Sequence, residues 1–232
     1  MTDSRSRLIV ALDVSSAAAA EKIVAAVGDS ARIYKVGMQL YTAMGPQIVR
    51  QLVGSGRQVF LDLKYHDIPN TVAAAVQEAA KLGVSMLTVH AAGGGKMLRA
   101  AVDAARSANA PTVVLGVTVL TSLDQRDLEH AGVRGSVMDQ VSRLAALAIT
   151  SGCHGVVASA QEAAALRSEL GDGFLIVTPG VRPVGFEQGD QARVVTPAEA
   201  IAAGASYIVV GRPITEAEDP ATEAREILAQ IG

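Results

Sequence analysis

The chain of 232 residues is half hydrophobic and 19% charged, enough for one large α/β domain or two small ones around a sizeable core. Lys+Arg 20 against Asp+Glu 23 gives a formal net charge of −3, aromatics are 3% and tryptophan is absent, so no nucleic-acid footprint or base-stacking platform is indicated. One cysteine, Cys153, excludes an internal disulfide and a multi-cysteine metal site, and its place beside an apolar strand reads as a buried structural thiol. The polar start runs straight into a strand without a signal-peptide hydrophobic region. No stretch approaches the roughly 18 apolar residues of a membrane span. A cytoplasmic protein with no membrane partner is expected.

Strand-like and amphipathic helical runs alternate along the whole chain. The first strand covers Leu8 to Leu12, and Ser15 or Ser16 caps an Ala-rich helix that stops near Gly28. A second strand, Arg32 to Gly37, precedes a helix from about Leu40 to Val53. The third strand, Gln58 to Lys64, leads into a helix over Thr71 to Leu82. The fourth, Val84 to His90, leads into one from about Lys96 to Ala108. Thr112 to Val119 is the fifth strand, followed by a short helical piece capped by Ser122 and a helix over Val137 to Thr150. Gly155 to Ala158 is the sixth, with a helix over Ala160 to Leu170. Phe174 to Thr178 is the seventh, after which residues 179–194 show no periodicity. Thr196 caps a helix over Pro197 to Ala203, Tyr207 to Val210 is the eighth strand, and a final helix runs from Pro213 to Ile231.

Unbroken apolar strands, each followed by a helix, imply a parallel sheet covered on its outer face. Eight such units predict the α/β class and a (β/α)₈ TIM barrel, with residues 1–232 as a single domain. A doubly wound sheet is the alternative, but it would carry a Gly-rich turn where Asp13-Val14-Ser15-Ser16 follows the first strand.

One stretch stands out, Phe60 to Thr71. It opens as an apolar strand yet carries Asp62 and Lys64 two residues apart, on one face by strand alternation. Buried charges are costly unless paired, and Asp67 and Thr71 follow in the turn, with Pro69 suited to the next helix start. A structural ion pair is the plainer reading. The other strand ends favour a site, because barrel active sites lie at the C-terminal ends of the strands. Asp13, Lys35, His90, Thr121, Ser122, Arg182 and Arg212 all fall there, and the opposite strand ends offer no comparable set.

Gly211-Arg212-Pro213 after the eighth strand combines an approachable backbone, a guanidinium and a helix start, which suits a phosphate. The long loop after the seventh strand, with Gly180, Arg182, Gly185, Gln188, Gly189 and Gln191, has the hinges and polar tips of a lid. Gly93-Gly94-Gly95-Lys96 is only a partial P-loop, since Met97 replaces the hydroxyl that would hold Mg²⁺. His66, His130 and His154 read as surface or turn histidines, His90 as a hydrogen-bonding neighbour of the site. No metal site is expected.

With these positions assembled, the sequence resembles the orotidine 5′-phosphate decarboxylase family. Asp62-x-Lys64-x-x-Asp67-Ile68-Pro69-Asn70-Thr71 matches that family's signature. Ala11-Leu12-Asp13, Lys35-Val36-Gly37, Leu120-Thr121-Ser122, Thr178 to Arg182 and Val210 to Ile214 extend the match along the chain. The resemblance implies a homodimeric barrel that converts orotidine 5′-phosphate to UMP and CO₂ without metal or organic cofactor. It implies a charge network of Lys35, Asp62, Lys64 and Asp67, with Lys64 as counter-charge and then proton donor. Asp67, with Ile68 and Thr71, would reach the partner's site. Asp13 and Lys35 would hold the ribose, Thr121 or Ser122 the pyrimidine, and Arg182, Gln191, Arg212 and the Gly211 backbone the phosphate. Sister enzymes, hexulose-phosphate synthase and ketogulonate-phosphate decarboxylase, share Asp-x-Lys-x-x-Asp but use Mg²⁺ and carry a carboxylate where this chain has Lys35. A Mg²⁺-dependent sugar-phosphate enzyme and a catalytically silent nucleotide-binding barrel are the rival readings.

Overall fold

The computed structural model describes residues 7–108, 111–183, 186 and 195–232. Eight parallel strands pair in chain order and close into a barrel. They are β1 (Leu8–Ala11), β2 (Ile33–Gly37), β3 (Gln58–Tyr65), β4 (Met86–His90), β5 (Val113–Val117), β6 (Gly155–Val157), β7 (Leu175–Thr178) and β8 (Tyr207–Val210). The ring closes where Leu8, Ile9 and Val10 pair with Ile208, Val209 and Val210. The (β/α)₈ expectation is met, and the doubly wound alternative is excluded by that closure.

Alternation divides the strands between two cores. Ile9, Ala11, Ile33, Phe60, Met86, Leu115, Val177 and Val209 fill the barrel interior. Their neighbours, such as Leu8, Val10, Tyr34, Val36, Leu61 and Leu87, face the helices and form the larger outer core. Each fully buried aliphatic side chain stabilises the fold by about 1.5–3 kcal/mol. Gly116 marks a close approach of helix to sheet, since a β-carbon there would lie 2.6 Å from that of Ala148. No helix among the described residues is long and apolar enough to cross a membrane.

The helices are α1 (Ala17–Val27), α2 (Met38–Met44), α3 (Gln47–Gly54), α4 (Pro69–Lys81), α5 (Gly94–Arg106), α6 (Gln125–His130), α7 (Val137–Thr150), α8 (Ala160–Leu170), α9 (Pro197–Ala202), α10 (Arg212–Thr215) and α11 (Pro220–Gln230). Ser16, rather than Ser15, caps α1 by accepting from the Ala19 N–H. Ser136 and Thr196 cap α7 and α9 through reciprocal capping boxes.

Three predicted helices differ. The one expected over residues 40–53 is two, because Gly45 turns to φ 62 and Pro46 follows, where a proline ring opposes continuation. The final helix is also two, with α11 restarting behind Asp219, whose carboxylate accepts from the Ala221 and Thr222 N–H groups. The short piece after β5 is capped by Asp124, not Ser122. The Asp124 carboxylate receives the Arg126 and Asp127 N–H groups, while Ser122 stands exposed two residues earlier. A carboxylate at the cap outcompetes a hydroxyl because it also faces the positive end of the helix dipole.

Candidate active site

A cavity of about 500 Å³ opens at the C-terminal ends of the strands. Its apolar wall comes from several strands, including Ala11, Phe60, Val117, Val157, Val177 and Val209. Its polar groups include Asp13, Lys35, Asp62, Lys64, Thr121, Arg182 and Arg212, together with the backbone at Gly211, and Thr215 and Glu216 also line it. The described residues therefore bring together, from six different strand ends, most of the positions singled out in the sequence. Ser122 is exposed and outside the lining, so Thr121 is the member of that pair that faces the cavity.

The charges form two ion pairs. Lys35 Nζ lies 2.7 Å from Asp13 Oδ1, with the lysine largely buried and the aspartate open to solvent. Gly37 makes room for this pair, since a β-carbon there would stand 3.0 Å from Lys35 Nζ and 3.2 Å from Asp13 Oδ1. Lys64 Nζ donates to both oxygens of Asp62, at 2.9 Å each. These side chains keep only 27% and 14% of their exposure, so desolvation offsets much of their mutual attraction. Stability alone is a poor reason to keep them; a charge to be used in the cavity is a better one.

The two share a face by a route that alternation does not describe. β3 pairs Leu61 with Leu87 of β4, and next Tyr65 with Val89, so two extra β3 residues bulge out between. Lys64 sits in that bulge at φ 52, the one positive φ outside glycine among the described residues. A left-handed non-glycine residue costs about 1–3 kcal/mol and persists where surrounding contacts over-determine it. Here the Lys64 N–H donates to Thr88 Oγ1 at 2.9 Å, and that hydroxyl donates to Asp62 Oδ1 at 3.0 Å. The sequence reading passes over Thr88. Its only local signal is one hydroxyl inside the apolar run Met86-Leu87-Thr88-Val89, on the same parity as His90.

Asp67, Ile68 and Thr71 lie apart from this cavity. All three are exposed, Ile68 at 66%, and the Asp67 carboxylate accepts from the Ile68 N–H rather than from Lys64. They line no part of the cavity in the single chain. Arg182 is buried, its N–H donates to the Val195 carbonyl, and its guanidinium lies 5.6 Å from the Phe186 ring centre. The Val181–Val195 bridge thus ties together the two ends of the long loop. Gly185, Gln188, Gly189 and Gln191, and with them the expected lid, lie outside the described residues. Arg212 opens α10 on the cavity rim.

His90 ends β4 with its ring stacked on His66, centres 5.1 Å apart. Burial, then the nearby His66 and Lys64, hold it below the ordinary 6.5, and its Nδ1 is buried without a hydrogen-bond partner. His66, expected as a surface or turn histidine, is exposed and also supplies this stacking face. His154 accepts the Val114 N–H at Nδ1. Cys153 is buried, which pushes its thiol up to about 12 and leaves it inert. No cluster of three His, Cys, Asp or Glu side chains among the described residues is placed to hold a metal.

Comparison with known proteins gives a consistent result. Residues 6–227 match the family described as orotidine 5′-phosphate decarboxylase / HUMPS. The chain is 54% identical over 225 residues to an orotidine 5′-phosphate decarboxylase of Halorhodospira halophila, covering 97% of this chain and 95% of that one. It is 52% identical over 234 residues to one of Moorella thermoacetica, covering 98% and 93%. The crystal structure of the Lactobacillus acidophilus orotidine 5′-phosphate decarboxylase superposes with a TM-score of 0.89 at 38% identity, over 98% of this chain and 99% of that one. A closed barrel with an Asp62–Lys64 pair at its mouth, and identity near one half along the whole chain, place this protein in the orotidine 5′-phosphate decarboxylase / HUMPS family.

Proposed function

We propose that this single-domain barrel decarboxylates orotidine 5′-phosphate to UMP and CO₂, the closing step of pyrimidine nucleotide synthesis, in the cytoplasm where nucleotides are made. The observation that carries this reading is Lys64 Nζ, gripped by both Asp62 oxygens on the wall of a cavity that also presents two arginines. Loss of CO₂ from C6 leaves an electron pair in the plane of the pyrimidine ring, poorly placed for delocalisation. The reading calls on no cofactor as electron sink, so fixed charge must stabilise the carbanion and a nearby acid must protonate it.

Lys64 does both: its ammonium faces the developing charge, then gives C6 a proton and is left neutral until solvent restores it. At about 4 Å and an effective dielectric near 20, one such charge contributes about 4 kcal/mol, about a thousandfold in rate. The rest must come from several groups acting together. Asp62 aims Lys64, and its carboxylate beside that of the substrate raises the ground state. Asp13 and Lys35 suit the ribose hydroxyls, Thr121 the pyrimidine edge, and Arg182, Gln191, Arg212 and the Gly211 N–H the phosphate. Phosphate binding energy then closes the loop after β7 over the reacting centre and excludes water.

The exposed Asp67, Ile68 and Thr71 support a homodimer in which they complete the partner's cavity. An apolar side chain as open as Ile68, with Met38 at 58% exposure, suits a covered surface. The Mg²⁺-dependent sugar-phosphate reading is disfavoured by Lys35, whose ammonium would repel a cation where the sister enzymes have a carboxylate. The deciding assay follows the absorbance of orotidine 5′-phosphate with and without EDTA. Turnover that survives the chelator is expected; no turnover, or turnover abolished by chelation and restored by Mg²⁺, overturns the reading.

A further inference from the structure

Thr88 is fully buried on β4, two residues beyond Met86 of the barrel interior and two before His90. Across the ladder it faces three residues instead of one. Leu61 pairs with Leu87 and Tyr65 with Val89, so Asp62, Leu63 and Lys64 all stand opposite Thr88. The bulge takes the Lys64 N–H out of the ladder, and Thr88 Oγ1 receives it at 2.9 Å. The same oxygen bonds Asp62 Oδ1 at 3.0 Å. An amide N–H can only donate and a carboxylate can only accept, so the one hydroxyl hydrogen is committed to Asp62 and a lone pair to Lys64.

The two threonines that flank β5 show an alternative. Thr112 donates to the Val84 carbonyl and Thr118 to the Val157 carbonyl, which ties backbone to backbone and involves no charge. Thr88 differs because both its partners belong to the ion pair at the cavity wall.

The geometry points to Thr88 as a positioning residue for the decarboxylation, its hydroxyl locking the Asp62 carboxylate to the left-handed backbone of Lys64 and so aiming the Lys64 ammonium. This rests on the decarboxylase reading above. Lys64 reaches the cavity through a flexible four-carbon stem, so two things set the position of its Nζ: the φ 52 backbone at one end and Asp62 at the other. Thr88 holds both. A side chain of equal shape without a hydroxyl leaves a buried amide and one carboxylate oxygen short of a partner, and frees the bulge to relax. Displacing a reacting group by about 1 Å costs on the order of a hundredfold.

The test compares Thr88→Val, which keeps the shape and loses the hydroxyl, with Thr88→Ser, which keeps the hydroxyl and loses a methyl. With orotidine 5′-phosphate, Thr88→Val is expected to lower kcat about a hundredfold while KM and UMP affinity stay within about threefold. Thr88→Ser is expected to recover kcat to within about fivefold, although it packs less well. A Thr88→Val enzyme with kcat within about threefold of the parent overturns the inference, and so does a Thr88→Ser enzyme as slow as Thr88→Val. If Thr88→Val does not fold, Thr88→Ala replaces it under the same comparison. An inactive parent overturns the decarboxylase reading itself; an active parent with an equally active Thr88→Val overturns only the role of Thr88.

Discussion

A β-carbon on Gly37 would stand 3.0 Å from the ammonium nitrogen of Lys35, two residues earlier on the same strand. Gly37 has an ordinary extended φ of −92, so what it contributes is space and not backbone freedom. Gly37→Ala should therefore fold normally and push Lys35 off Asp13, the flexible lysine tip being what yields. We expect kcat/KM to fall about tenfold with Tm nearly unchanged, because a small displacement of a charge proposed to hold the ribose is costly. Unchanged kinetics would show that Lys35 can move without consequence.

Lys64→Ala should remain folded and lose decarboxylation by at least about a thousandfold, the share assigned to its charge. Asp67→Ala should be inactive as well if Asp67 serves the partner's cavity. Mixing the two variants should then restore part of the activity, since one of the two shared cavities regains both residues. No recovery after mass spectrometry has verified subunit exchange would count against the shared site.

Orotidine without its phosphate should be a far poorer substrate in kcat as well as KM. Arg182 and Arg212 line the cavity, and binding energy spent on closure appears in kcat. Equal kcat for nucleoside and nucleotide would rule out closure driven by the phosphate.

Acid should destabilise the fold in two stages. His90 is held below 6.5, so the unfolded chain takes up its proton first and stability begins to decline as pH falls past 6.5. Asp124, Asp139, Glu199 and Asp219 are lowered by the hydrogen bonds they accept, from Asp127, Ser136 and Thr196 backbone N–H groups and the Thr222 hydroxyl respectively. Their contribution is present above the ordinary values of 3.8 for Asp and 4.5 for Glu, and is lost as pH falls through the lowered ones. Tm measured from pH 8 to pH 3 should show a shallow early decline that His90→Gln removes, then a steeper one that it does not. A single transition unaffected by His90→Gln would contradict the first stage.

Much of the architecture is legible in the sequence because its causes are local. Strand runs, helix periods and caps such as Ser16 and Thr196 depend on residues within one turn of each other, and α7, α8 and β8 begin and end where the sequence places them. The misplaced boundaries have local causes too. Gly45-Pro46 and Asp219-Pro220 interrupt runs whose apolar periodicity continues across them, and periodicity outweighs punctuation when read alone. At Asp124 two capping residues compete two positions apart, and only the backbone path decides which one faces the helix start.

The candidate site divides along the same line. Asp62 and Lys64 stand out by themselves, since an acid and a base in an apolar strand are costly enough to need a reason. How they meet is not local. The bulge opposite Thr88 depends on the register between β3 and β4, and the close fit of Lys35, Asp13 and Gly37 depends on β1 and β2 lying side by side. The sequence by itself determined which charged and polar residues stand at the C-terminal strand ends. Only the tertiary structure decided which pairs form, that Thr121 and not Ser122 faces the cavity, and that Thr88 spans the Asp62–Lys64 pair. Side-chain type and period are properties of neighbours along the chain, whereas hydrogen-bond partners are set by strand register and barrel closure.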